Sequence, residues 1–154
     1  MKISISYFYK IRFFKSNMIP MSTAISDPAW YHDNCGSYHS FIDKNGVLNG
    51  LRFKDFMPII KDNGECYGQK SCKELDKQVC GFLNNYYEQL SALSFEEVVS
   101  KLEKIALATK SVLGFEEEPH VVLIVYETPD NPCSERVVLQ KWFKENGYSL
   151  DEWI

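Results

Sequence analysis

The sequence predicts an α/β domain of three layers, with a mostly parallel sheet flanked by helices and an irregular cysteine-bearing insertion at about residues 33–75. Three observations predict it. Val121 to Tyr126 is a continuous apolar run, and its lack of alternation suits a strand buried on both faces, as parallel strands are. Two segments of helical periodicity precede this run, and a strand–turn–helix unit follows it. Ile3-Ser4-Ile5-Ser6-Tyr7 alternates with period two, which adds a strand near the start of the chain.

Taken in order, the first strand runs into an aromatic stretch of Tyr7, Phe8, Tyr9, Ile11, Phe13 and Phe14, read as a buried turn. Met18 to Ile25 is a second β-rich run. Pro20 cannot donate to a ladder, so this strand belongs at a sheet edge or at a strand start, and Ser26-Asp27-Pro28 turns the chain into Trp30-Tyr31. Between residues 33 and 75 the glycines are frequent and periodicity is weak. Asn45-Gly46 is a hairpin turn candidate there. So long a stretch needs a small sheet, a metal or a ligand to order it.

From Lys77 onward Val79, Phe82, Leu83, Tyr86, Tyr87 and Leu90 share one helical face. Ser94-Phe95-Glu96-Glu97 is a capping box for a second helix that ends at Gly114. After the apolar strand, Asn131-Pro132 reads as a helix cap followed by proline in the first turn, with Gly147 at the exit.

Chain length favours a single domain over residues 1–154. Seventeen Lys plus Arg against 21 Asp plus Glu give a net charge of −4, so no global basic field is available for non-specific duplex binding. No apolar run reaches the roughly 20 residues of a membrane helix. Lys10, Arg12 and Lys15 interrupt any secretory core, and five cysteines without an export signal point to a reducing, cytoplasmic setting.

Function is expected where the buried strand meets the next helix, since ligands in open α/β sheets bind outside the carboxyl ends of the strands. With Asn131 as cap, Cys133 and Ser134 fall in the first helical turn, where unpaired N–H groups favour anions and lower a thiol's pKa. Arg136 offers a planar fork for phosphate or carboxylate, and Glu127 a proton carrier. The catalytic candidates are therefore Cys133 and Glu127. The ligand-binding candidates are Arg136, Ser134, Asn131, Tyr7, Ser22 and Trp30, and the aromatic rings among them form a stacking pocket if they face Arg136. The competing reading makes Glu127 and Arg136 a structural ion pair and Cys133 a buried hydrophobe. In the insertion Cys66, Cys72 and Cys80, with Cys35, His32 or His39 as a fourth ligand, are a candidate structural zinc or iron-sulfur site, although no Cys-x-x-Cys knuckle is present; unliganded thiols and a disulfide are the other readings.

Tyr126-Glu127, the cysteine and arginine near the start of the last helix, and Trp142 together resemble the end of domain-of-unknown-function family number 488. Ser6-Tyr7-Phe8 with Arg12, Ile19-Pro20-Met21-Ser22 and Pro28-Ala29-Trp30-Tyr31 resemble its opening strands and its proline-x-tryptophan element, so the likeness covers roughly residues 3–31 and 79–146. It implies a small α/β fold with parallel strands and no settled activity. Where family members often read Cys-His-Arg, this chain has Cys133-Ser134-Glu135-Arg136.

The expected function is binding of a small anionic ligand, such as a nucleotide, at 127–136, with hydrolysis or group transfer as a further step. Two alternatives stand beside it. One is a non-catalytic, metal-stabilised module for a protein or nucleic-acid partner, and the other a nucleotide-sequestering protein.

Overall fold

The computed structural model describes residues 1–33, 39–59 and 81–153. In chain order its elements are β1 (Lys2–Tyr7), β2 (Met18–Ser22), β3 (Phe41–Ile42), β4 (Leu48–Asn49), α1 (Gly81–Ser91), α2 (Phe95–Leu113), β5 (His120–Val125), α3 (Glu135–Glu145) and β6 (Asp151–Glu152). Short 3-10 segments occupy 8–13, 29–31 and 54–56. The central sheet has the order β2-β5-β1-β6, and every pairing in it is parallel.

Each residue of β5 is buried, as the unbroken apolar run requires. Val121, Leu123 and Val125 point to one face, where Ile3, Ile5, Ile19 and Met21 join the apolar stripes of all three helices. Val122 and Ile124 point to the other, against Phe8, Ile11, Phe14, Met18, Tyr31 and Val47. The three layers are thus a helical layer, the sheet, and a layer of 3-10 turns and hairpin. Burying each such aliphatic side chain contributes about 1.5–3 kcal/mol, which makes β5 the axis of the fold.

Helix α2 starts where Ser94 Oγ accepts from Glu97 N (3.4 Å), and Gly114 ends it in the left-handed region at φ 75°. Along it Val98, Leu102 and Ala106 are buried at spacings of four. Pro20 sits mid-strand in β2, which is an edge strand of the sheet and so tolerates the missing N–H. The Asn45-Gly46 hairpin forms between β3 and β4, with Gly46 at φ 79° and the Asp43 carboxylate accepting from Asn45 N and Val47 N.

Within the expected insertion, Ser22 N donates to the Leu51 carbonyl, Phe53 N donates to the Ser22 carbonyl, and Phe53 and Phe56 sit in the main core. One expectation needs correction. The cap of α3 is Ser134, not Asn131. Ser134 Oγ accepts from Arg136 N (3.2 Å), while Asn131 Oδ1 accepts from Cys133 N (2.9 Å) in a turn that precedes the helix. Asn131-Pro132 resembles a cap and first helical residue, but it closes its own Asx turn and leaves the helix to a second capping residue.

Candidate functional site

Strands β1 and β5 are neighbours whose chains leave in opposite directions. From β1 the chain crosses the 3-10 face to β2, on the far side of β5. From β5 it passes through α3 to β6, on the far side of β1. Their carboxyl ends therefore flank a topological switch point, the place where open α/β sheets leave a crevice.

A cleft of about 480 Å3 opens there, lined by Tyr7, Phe8, Tyr9, Arg12, Pro28, Trp30, Tyr126 and Thr128. Its volume lies within the range of small-molecule sites. Phe8 is buried at its base and meets three rings edge to face: Trp30 at 6.1 Å, Tyr31 at 5.3 Å and Tyr126 at 5.8 Å between centroids. Trp30 is 47% exposed and Tyr126 59%, so two large rings stand with open surface at the mouth of the cleft.

Arg12 is the cation of this cleft. Its Nε donates to the Tyr9 carbonyl (2.9 Å) and its guanidinium carbon lies 3.8 Å from the Tyr9 ring centroid. The hydrogen bond and the cation–π contact fix the planar group, while its Nη atoms have no hydrogen-bond partner among the described residues. The 3-10 turn of 8–13 produces this arrangement by burying Phe8 and Ile11 and turning Tyr9 and Arg12 outward.

Trp30 lies in a turn that a polar cluster around Asp27 holds in place. Asp27, whose side chain is fully buried, accepts from Ser22 Oγ and from His32 Nε2 (2.7 Å), and forms an ion pair with Arg52 Nε (3.1 Å). These contacts hold both ends of the 28–31 turn. Ser22 is wholly buried within this cluster, and so acts as a structural donor rather than a ligand contact.

The expected site at the start of α3 has different electrostatics from those read in the sequence. Arg136 is 3% exposed, forms an ion pair with Glu152 through Nε and donates from Nη1 to the Glu127 carbonyl (2.8 Å). The structural ion pair is therefore with Glu152, a partner 16 residues away that no local motif indicates. Ser134 Oγ donates to Glu127 Oε2 (3.3 Å), and Glu135 lies buried beside Thr23 Oγ1 (3.1 Å). Burial first, and then the neighbouring Glu127 charge, push the Glu135 carboxyl well above the usual carboxylate range; burial also raises Glu127. Two carboxyls and a neutralised arginine leave no net positive charge there for an anion.

Of the ligand-binding candidates, Tyr7 and Trp30 reach the cleft, whereas Asn131, Ser134, Arg136 and Ser22 do not line it. Cys133, 2% exposed, precedes the cap and so lies outside the first helical turn, and neither it nor Glu127 lines the cleft. The condition that the aromatic rings face Arg136 is not met; they face Arg12. Interleaved aromatic and basic residues in Tyr9-Lys10-Ile11-Arg12-Phe13 were the available signal. The four candidate cysteine ligands, Cys35, Cys66, Cys72 and Cys80, lie outside the described residues. Among the described residues no group of three or more His, Cys, Asp or Glu side chains could hold a metal ion, and no helix is long and apolar enough to cross a membrane.

No protein-family model, no curated protein and no solved structure matches this chain.

Proposed function

We propose that the protein binds a small anionic ligand bearing a planar ring, a nucleotide, in the cleft between the carboxyl ends of β1 and β5. The observation that carries this is a fixed guanidinium, Arg12, in a cleft whose mouth is flanked by the exposed rings of Trp30 and Tyr126. A base stacks on Trp30 or Tyr126, and the phosphate accepts from the Nη1 and Nη2 N–H groups of Arg12, whose Nε is held by the Tyr9 carbonyl. Base stacking on an aromatic side chain is worth about 1–3 kcal/mol, and pre-setting the guanidinium spares part of the ordering cost of binding.

Binding rather than turnover is the function this geometry supports best, because the buried Cys133 and the Ser134-bonded Glu127 stand apart from the cleft. A cytoplasmic setting, where thiols stay reduced, suits such a role. The likeness to family number 488 read in the sequence runs through Tyr7, Phe8, Arg12 and Trp30, and it adds no activity to the proposal. Isothermal titration of the protein with adenosine monophosphate tests it: saturable binding that Arg12→Ala and Trp30→Ala each weaken is expected, and binding indifferent to both would refute it.

A further inference from the structure

A second cavity of about 280 Å3 adjoins the first across Arg12 and Trp30, which line both. Its other walls are Ile11, Phe41 and the hairpin residues Asp43, Lys44, Asn45 and Asn49. Chemically it repeats the first: a ring, Phe41, beside an exposed cation, Lys44.

The acidic residue of this cavity is already committed to the hairpin. Asp43 Oδ1 accepts from Asn45 N (2.8 Å) and Val47 N (3.1 Å), and Oδ2 accepts from Asn49 Nδ2 (2.9 Å). Asn45 Nδ2 in turn donates to the Arg12 carbonyl (3.2 Å), which ties the hairpin to the turn that carries Arg12. The hairpin and the cationic turn thus form one continuous wall, and Lys44 stands at its tip.

We infer that the two cavities together take a dinucleotide unit of a single-stranded oligonucleotide: one base in each, the bridging phosphodiester at Arg12 and the next phosphate at Lys44. This rests on the nucleotide-binding function proposed above. Two ring-lined cavities that share an arginine match the alternation of bases and phosphates along a strand, the pattern by which single strands are held on aromatic platforms and basic grooves. The overall charge of −4 disfavours long-range attraction to a duplex but leaves this local pairing of rings and cations intact.

The test is calorimetric titration of wild-type protein and Lys44→Ala with adenosine monophosphate and with 5′-phosphorylated diadenylate. Stacking of a second base and contact with a second phosphate predict that the dinucleotide binds wild type about 10-fold or more tightly than the mononucleotide. Lys44→Ala should reduce this advantage by the share owed to the second phosphate and leave the mononucleotide affinity unchanged, since Lys44 lines only the second cavity. Equal affinity for the two ligands, or an advantage that Lys44→Ala does not reduce, would overturn the inference while leaving mononucleotide binding in place. Failure of both ligands to bind would remove the underlying function as well.

Discussion

The guanidinium of Arg12 lies flat enough over Tyr9 to bring its carbon within 3.8 Å of the ring centroid, while its Nε holds the carbonyl of the same tyrosine. One residue therefore fixes the cation twice, once through its side chain and once through its backbone. The carbonyl contact survives any substitution at residue 9, whereas the ring contact does not. Tyr9→Ala should accordingly weaken nucleotide binding less than Arg12→Ala, by about 2- to 5-fold, the equivalent of an exposed cation–π contact of about 0.5–1 kcal/mol. Tyr9 is half exposed, so its thermal midpoint should move little; an affinity equal to wild type would show that the ring does not orient the arginine.

Arg136 makes the opposite prediction. Its ion pair with Glu152 joins α3 to β6, and Nη1 ties α3 to the end of β5. Arg136→Ala leaves the buried carboxylate oxygens of Glu152 without their partner, and unfolding in urea should show a loss of about 3–5 kcal/mol, the range for a broken buried pair. Nucleotide affinity measured well below the midpoint should remain. Lost binding with unchanged stability would restore Arg136 as a ligand contact.

Glu135 governs a pH dependence. Burial raises its carboxyl pKa well above 4.5 in the folded protein. At pH values above the unfolded pKa and below the folded one, the native state holds a proton that the unfolded chain has released. Stability from this group is therefore fully present below the unfolded pKa and is lost as pH rises toward the folded pKa. Glu135→Gln mimics the protonated form and should flatten this fall; the wild-type and variant curves, taken by denaturant titration at several pH values, should converge at low pH and separate as pH rises. Parallel curves would contradict the assignment.

His120 acts in the reverse sense. Burial lowers its pKa from 6.5 to about 4, and its Nε2 sits 2.6 Å from Ser4 Oγ. Between these values the unfolded state binds the extra proton, so this contribution is present above pH 6.5 and lost as pH falls toward 4. An NMR titration of the imidazole resonances should place its midpoint near 4, and a midpoint at 6.5 or higher would contradict the burial account.

The parts of the fold that the sequence makes legible are those whose signals are local. The unbroken apolar run of β5, the alternation of β1 and the Ser94-to-Gly114 frame of α2 each carry their own pattern, and burial follows it. The start of α3 misleads because two capping residues lie three apart, and only the Asx turn at Asn131 shows which one the helix uses. The site is harder to read because its contacts are distant in sequence. Phe8, Trp30 and Tyr126 meet only after β5 inserts between β1 and β2, and the partner of Arg136 is a carboxylate on the last strand. Likewise Asp27 is a turn residue by its neighbours, yet its buried contact with Arg52 spans 25 positions.

Titration of wild-type and Arg12→Ala proteins with adenosine monophosphate and with unphosphorylated adenosine tests the central claim most directly. If the cleft holds a base on its rings and a phosphate on Arg12, wild type should bind the nucleotide at least about 10-fold more tightly than the nucleoside, as a charge-assisted bidentate contact of about 1.5–3 kcal/mol requires. Arg12→Ala should bring the two ligands to similar affinity, with the thermal midpoint nearly unchanged. Equal binding of nucleotide and nucleoside to wild type, or a phosphate preference that persists in Arg12→Ala, would contradict it.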